Sequence, residues 1–226
     1  MKEYPILFSA PMVNAILEGR KTMTRRVVKP QPDLSILKES ARGLEFEFRR
    51  MPVLGPTHTP AEWGFVPKYD KANCVPIYGY KCPFGVVGDR LWVRETWKLW
   101  EDPEDGHDWV LYRAGGKISF PTVRSPLPND PFVDKWRPSI FLPRWASRIT
   151  LEITGVRVER LNDINEKDAI DEGLSFDSCG WFVLGNAKTG ADTAVTCFSQ
   201  LWDSINGKKY PWASNPWVWV IEFRRI

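Results

Sequence analysis

Hydrophobic and polar residues at the start of the chain follow the spacing of a β-strand in some stretches and the spacing of an α-helix in another. Residues 6–8 predict a short buried strand, and an apolar stripe at helical spacing predicts a helix over residues 10–18. Ser9 is the expected N-cap of this helix, and Gly19 suits the left-handed residue that ends it. Residues 22–28 favour a strand. The chain therefore opens with a strand, a short helix and a second strand.

Three later stretches predict strands. Residues 90–97 follow a Gly-Asp turn signal, and residues 147–160 form the longest strand pattern. The parity of the second stretch changes at Gly155, which indicates a β-bulge or a sharp bend in a curled sheet. Residues 217–223 are apolar on both faces at first, so we expect this strand inside the sheet and essential for folding.

Two further helices complete the pattern. A capping box at residues 163–166 predicts the start of a short helix that ends at Gly173. Apolar residues near helical spacing predict an amphipathic helix over residues 193–206. Strands and helices of this kind indicate an α+β fold in a single domain of residues 1–226.

Two long segments show little periodicity. Residues 30–80 and 98–145 hold most of the prolines and many of the tryptophans, of which the chain has 19 and 12. Proline fixes the backbone and tryptophan supplies large buried area, so ordered loops without regular ladders are expected there. We interpret both segments as loop insertions.

Composition and charge exclude several classes of protein. The formal net charge is only +3, so any nucleic-acid surface must come from local clustering. The four cysteines lack the short paired spacings of a zinc site, and we predict neither a metal nor a cofactor. No apolar leader or membrane-spanning run is visible, which predicts a cytoplasmic protein without a membrane partner.

The strongest local charge cluster lies between the first helix and the second strand. It contains no acid, and two threonines lie among its cations, which are Arg20, Lys21, Arg25, Arg26 and Lys29. This combination suits anions and polarised carbonyls, although a solvated basic turn is the alternative. Side chains alternate along a strand, so Thr24 and Arg25 are expected on opposite faces. Lys21 can reach the face of Thr24 only if it lies in the turn before the strand.

Other charged and aromatic residues are secondary candidates. Glu95 shares a face with apolar neighbours and needs a partner, either an arginine that stabilises the fold or a ligand. Arg144 and Trp145 form a second basic and aromatic patch. Glu172 lies in the last turn of a helix, where a negative charge opposes the macrodipole. Its position suggests a function, and a solvated carboxylate is the alternative.

The order of these elements resembles the ASCH domain family. The resemblance lies in the Gly-Arg-Lys-Thr-Met-Thr-Arg-Arg stretch after a short helix, in the Gly-Asp-Arg-Leu strand, and in the elements that follow. It covers about half of the chain, at residues 4–28, 85–97, 147–174 and 217–225. The family implies a PUA-like open β-barrel, mixed and mainly antiparallel, with a link to RNA. The longer members that this chain resembles are often carried by phages and prophages.

The resemblance also implies an activity. Small bacterial members are amidohydrolases that remove acetyl from N(4)-acetylcytidine with a lysine, a threonine and a glutamate, which fall on Lys21, Thr24 and Glu172. In this reading Thr24 or water attacks the carbonyl, Lys21 activates the nucleophile or stabilises the oxyanion, and Glu172 protonates the departing amine.

Two alternatives stay open from the sequence. The first is a noncatalytic module that holds single-stranded RNA phosphates with its arginines while exposed tryptophans stack on bases. The second is a ribonuclease. For any of these functions, the expected substrate- or nucleic-acid-binding residues are Arg20, Arg25, Arg26, Glu95, Arg144 and Trp145.

Overall fold

The computed structural model describes residues 1–32, 46–50, 63–67, 79–101, 108–119, 135–177, 180–182 and 191–226. In chain order, the elements of this part are β1 (Glu3–Leu7), α1 (Ala10–Leu17), β2 (Met23–Val27), β3 (Phe46–Arg50), β4 (Trp63–Pro67), β5 (Gly79–Tyr80), β6 (Arg90–Arg94), β7 (Trp97–Glu101), β8 (Asp108–Tyr112), β9 (Lys117–Ser119), β10 (Thr150–Arg160), α2 (Glu166–Asp171), β11 (Ser175–Asp177), β12 (Gly180–Phe182), α3 (Ala194–Asn206) and β13 (Trp217–Arg225).

Five strands form the central sheet, in the order β1-β6-β10-β13-β2. The β1–β6 pair is parallel, and the other three pairs are antiparallel. The predicted α+β class is therefore confirmed, with a mixed and mainly antiparallel sheet. The sheet is open, because β1 and β2 are its two edges, and the described strands do not close into a barrel.

The last strand separates two apolar clusters. Trp219, Ile221 and Phe223 belong to one cluster with β1, α1 and β6, whereas Val218 and Val220 belong to a second cluster with α2 and α3. This alternation follows from the two-residue period of a strand. Its place between β10 and β2 confirms that the final strand lies inside the sheet.

The predicted irregularity at Gly155 is confirmed. The pairing of β10 with β13 shifts register between Ile153 and Gly155. A β-carbon at Gly155 would lie 2.5 Å from Oε2 of Glu222, so only a glycine allows this approach without movement. The glycine therefore marks the bend in the longest strand.

Three local predictions are wrong in detail. Residues 90–97 do not form one strand, because β6 ends at Arg94 and β7 begins at Trp97 in a different sheet. The cap of α2 is Asn165, whose side chain accepts from the Asp168 amide, and not the predicted capping box. Ser9 occupies the N-cap of α1 but makes no side-chain cap bond.

The two predicted loop insertions contain short sheets. β3, β4 and β5 pair within residues 30–80, and β7, β8 and β9 pair mostly within residues 98–145. Alternation was present in β7, where Trp97 and Leu99 are buried. The remainder of the predicted loops, at residues 33–45, 51–62, 68–78, 102–107 and 120–134, lies outside the described residues.

Within the described ranges, no helix has the length and apolar character that crossing a membrane requires.

Candidate active site

The end of α1 places Lys21 beside the end of α2. Gly19 has a φ of 76°, the left-handed conformation that ends a helix. The amides of Arg20 and Lys21 then both donate to the carbonyl of Ala15, which turns the chain out of the helix. Lys21 lies just before β2 and forms an isolated β-bridge with Glu172.

Glu172 reaches Lys21 because a glycine follows it. Glu172 is the C-cap of α2, and Gly173 has a φ of 98°. A β-carbon at Gly173 would lie 2.9 Å from that of Ala15 and 3.0 Å from that of Lys21. A glycine therefore allows the turns after α1 and α2 to touch. The unfavourable position of Glu172 at a helix C-terminus is offset by this lysine.

Lys21 and Glu172 form a buried ion pair. The lysine Nζ donates to Oε2 of Glu172 at 2.7 Å and to the backbone carbonyl of the same residue at 2.8 Å. The exposed fraction is 0% for the lysine side chain and 5% for the glutamate side chain. The pair is thus closed to solvent, so a substrate reaches it only after the covering side chains move.

Burial lowers the pKa of Lys21 from its ordinary value, because the charged form loses its hydration. Glu172 acts in the opposite direction, while Arg25 and Arg26 lower the pKa further. A neutral amine has two N–H groups and one lone pair. In the neutral form, the two donations to Glu172 use both N–H groups and leave the lone pair to accept a proton, whereas in the charged form the same contacts make an ion pair.

Arg25 connects this pair to further carboxylates. Its guanidinium donates to Oε1 of Glu159 and to Oδ2 of Asp168, and its Nη1 lies 3.4 Å from Oε1 of Glu172. Arg157 also donates to Asp168. The Arg25 side chain is fully buried, so we expect these contacts to hold it in place rather than leave it for an RNA phosphate.

Thr24 lies on the opposite face of β2 from Arg25. It pairs with Ile221, a member of the first apolar cluster, and is itself buried. Within the described part of the chain, no hydrogen bond joins its hydroxyl to Lys21 or Glu172. The Lys21 Nζ nevertheless lies 5.6 Å from the ring centroid of Phe8, which belongs to that same cluster. The hydrogen bonds of the lysine amine, however, are made with Glu172, which Arg25 contacts from the other face of β2.

The remaining arginines of the basic stretch have intramolecular partners. Arg20 pairs with Glu18 and donates to the carbonyl of Gly173. Arg26 donates from Nη2 to the carbonyl of Leu7 at 2.7 Å, which joins the two edge strands of the sheet. The Nε of Arg26 is buried without a hydrogen-bond partner among the described residues.

Glu95 and Arg148 form a bidentate ion pair, with both N···O distances at 2.9 Å. Only 1% of the Glu95 side chain is exposed. The Arg148 guanidinium lies 4.1 Å from the ring centroid of Tyr112, whose hydroxyl donates to the carbonyl of Ala146. This geometry matches the structural alternative for Glu95, in which an arginine satisfies the buried carboxylate.

Arg144 and Trp145 are exposed at the protein surface. They are distant from β2 in sequence. Arg144 pairs with Glu3 through two hydrogen bonds, and both side chains are exposed. Trp145 is 46% exposed and stands edge-on to Trp97. No contact joins either residue to Lys21 or Glu172 among the described residues.

The sequence interpretation missed the carboxylates around Arg25. Asp168 precedes Glu172 by four residues, so both lie on one face around α2, and this spacing was a usable signal. Glu159 lies on β10, and no local pattern connects it to Arg25. Among the described residues, no cluster of three or more His, Cys, Asp or Glu side chains is suited to a metal ion.

Fold and site together define an α+β protein with an open, mainly antiparallel sheet and a buried lysine–glutamate pair beside its edge strand. Comparison of the chain with protein-family models, with curated proteins and with solved structures gave no match. Membership of the ASCH family therefore stays a prediction from the motif.

Proposed function

We propose that the protein is an amidohydrolase that acts on an acylated nucleoside or modified base of the N(4)-acetylcytidine type. The buried Lys21–Glu172 pair carries this proposal, because desolvation favours a neutral lysine beside a carboxylate. A PUA-like arrangement of the central sheet and an ASCH relationship belong to the same proposal.

The reaction needs a base, a nucleophile and a proton donor. Lys21 accepts a proton from Thr24 or from water, and the resulting oxygen nucleophile attacks the acetyl carbonyl to form a tetrahedral intermediate. The C–N bond then breaks as Glu172, protonated by Lys21, gives that proton to the departing amine. With water as the nucleophile the products are acetate and the free base. With Thr24, water must then hydrolyse an acetyl ester on its hydroxyl.

The test is hydrolysis of N(4)-acetylcytidine by the purified protein, followed as cytidine and acetate in equal amounts. We expect Lys21→Met, Thr24→Ala and Glu172→Gln each to lower kcat/KM by about 10²–10⁴-fold. The matched control is Lys167→Met, which removes an exposed lysine of α2. Absence of turnover, or turnover equal to wild type in Lys21→Met and Thr24→Ala, contradicts the proposal.

A second candidate is noncatalytic binding of single-stranded RNA. Its support is a group of exposed aromatic side chains in one short segment, since Trp136, Phe141 and Trp145 are 41%, 66% and 46% exposed. Such side chains stack on unpaired bases. This candidate predicts that Trp145→Ala weakens binding of a short oligonucleotide by about 1–3 kcal/mol. Equal affinity of the two proteins would contradict it.

A further inference from the structure

A basic cleft runs along the exposed edge of β2. Its volume is about 460 Å³, and six of the residues that line it are cationic. They are Arg25, Arg26, Lys29, Lys81, Lys208 and Lys209. No carboxylate lines this cleft among the described residues. The charge of Arg25 is balanced by neighbouring carboxylates, so the other five cations supply the positive charge of the cleft. For a chain with a formal net charge of only +3, this is a strong local concentration.

Four of these six cations have no negative partner in the part of the chain that the structure describes. Lys29, Lys81, Lys208 and Lys209 are exposed, and none forms an ion pair with a described residue. The lysines differ in this respect from the arginines that the sequence analysis favoured, which have intramolecular partners. Nearby like charges repel one another, so a group of exposed lysines along one cleft attracts an anion.

Arg26 lines this cleft and carries a buried donor. Burial lowers the pKa of its guanidinium, because the charge is desolvated. One of its nitrogens serves Leu7, while the buried Nε has no hydrogen-bond partner in the described structure. A buried donor without a partner is costly, and an anion seated in the cleft would reduce that cost.

The cleft also offers flat apolar surface. Phe84 and Tyr210 are half-buried residues of its lining, and the Nζ of Lys209 lies 5.6 Å from the Tyr210 ring centroid. Rings beside several lysines suit a ligand that carries both a planar base and a phosphate group. A small inorganic anion would use only the cationic part.

The cleft and the Lys21–Glu172 pair share one aromatic ring. The Cζ of Arg26 lies 5.3 Å from the ring centroid of Phe8, and the Nζ of Lys21 lies 5.6 Å from the same centroid. Arg25 provides a second link, because it lines the cleft and contacts Glu172. Two residues of the cleft lining, Arg25 and Arg26, therefore connect the cleft to the proposed reacting groups.

We infer that this cleft binds a phosphate group of the substrate, so that the site takes a nucleotide, free or within RNA, in preference to a free nucleoside. The inference rests on the proposed function for the reaction itself. The phosphate site can be measured separately, because binding does not require hydrolysis.

The test compares cytidine 5′-monophosphate with cytidine by titration calorimetry. We expect the monophosphate to bind at least about tenfold more tightly, the effect of one good charge-assisted contact. The double variant Lys208→Gln, Lys209→Gln should remove this preference. The control double variant Lys2→Gln, Lys117→Gln makes the same charge change at exposed lysines outside the cleft lining and should keep it.

A short oligocytidylate distinguishes the two sources of phosphate. If the phosphate belongs to RNA, the oligonucleotide binds more tightly than the monophosphate, and the double variant lowers the salt slope by about 1.4. If the phosphate belongs to a mononucleotide, the two ligands bind alike. Either result supports the site. Equal binding of cytidine and its monophosphate by wild type, or equal losses in both double variants, overturns it.

Kinetics separate this inference from the proposed function. In wild type we expect N(4)-acetylcytidine 5′-monophosphate to have a kcat/KM at least about tenfold above that of the nucleoside, and the cleft variant to lose only this advantage. Lysine-dependent binding of the monophosphate without hydrolysis of either compound supports the phosphate site and contradicts the hydrolase. Hydrolysis of both compounds at equal rates, without binding of the monophosphate, supports the hydrolase and contradicts the phosphate site.

Discussion

At the scale of single residues, the proposed chemistry depends on one lysine whose pKa is subject to opposing influences. Burial and two arginines favour its neutral form, whereas Glu172 favours its charged form. The pair persists because Glu172 supplies both acceptors for the lysine amine. The balance between these influences is open to measurement through the pH dependence of the reaction.

The first prediction concerns the acidic limb of kcat/KM against pH, which reports the pKa of the essential base in the free enzyme. Glu172→Gln removes the group that raises the pKa of Lys21, so the limb should move to lower pH. Arg26→Gln removes a group that lowers this pKa, so the limb should move to higher pH. Shifts in the same direction would contradict Lys21 as the base.

The sequence indicated which residue types form this pair, but it did not indicate that the pair is buried from solvent. The resemblance to the ASCH family implied that Lys21 and Glu172 act together, and the two side chains are in contact. Their burial was not predictable, because it results from Gly173 packing against Ala15, a contact between distant parts of the chain. The partners of Arg25 were likewise set by tertiary structure.

At the scale of secondary structure, one glutamate joins two helices. Glu166 begins α2, yet its carboxylate accepts from the amides of Ala194 and Val195 at the start of α3. It therefore satisfies free amides at a helix N-terminus and complements the helix dipole there. This contact fixes α2, and with it Glu172, against α3.

We expect Glu166→Gln to lower the free energy of unfolding by about 1–2 kcal/mol, because it removes a charge-assisted cap. The melting temperature should fall by about 2–4 °C per kcal/mol for a chain of this size. Scanning calorimetry measures the change. Glu152→Gln is the control, since Glu152 pairs with a solvent-exposed arginine, and should change stability by about 0.5 kcal/mol or less. Equal effects would contradict the capping role.

Element prediction succeeded where one period dominated a long stretch. The bulge at Gly155 was predicted from a glycine at a change of parity, α3 from helical spacing, and the central position of β13 from apolar residues on both of its faces. The small sheets β3-β4-β5 and β7-β8-β9 were missed, because their strands are short and lie among prolines.

At the scale of the whole molecule, β13 connects the two apolar clusters. It lies between β10 and β2, and its alternate residues pack into opposite clusters. The edge strand β2, which carries Thr24 and Arg25, pairs only with β13 among the described strands. The arrangement of the site therefore depends on this last strand.

A chain that stops at Pro216 should fail to fold, because both clusters would lose buried side chains whose combined contribution is comparable to a typical total stability of about 5–15 kcal/mol. Circular dichroism in the near ultraviolet and the amount of monomeric protein measure this. Removal of Ile226 alone, an exposed residue, is the control. A folded, cooperative truncated chain would show that the clusters are independent of β13.

The arginines of β2 have a further consequence for self-association. An edge strand presents unpaired backbone groups to which another copy can add, and charged side chains along the edge discourage that addition. The Arg26 side chain extends from β2 to β1, so it places a positive charge beside both edge strands of the sheet. Replacing it removes this protection, so the oligomeric state of Arg26→Gln should be matched to wild type before their rates are compared.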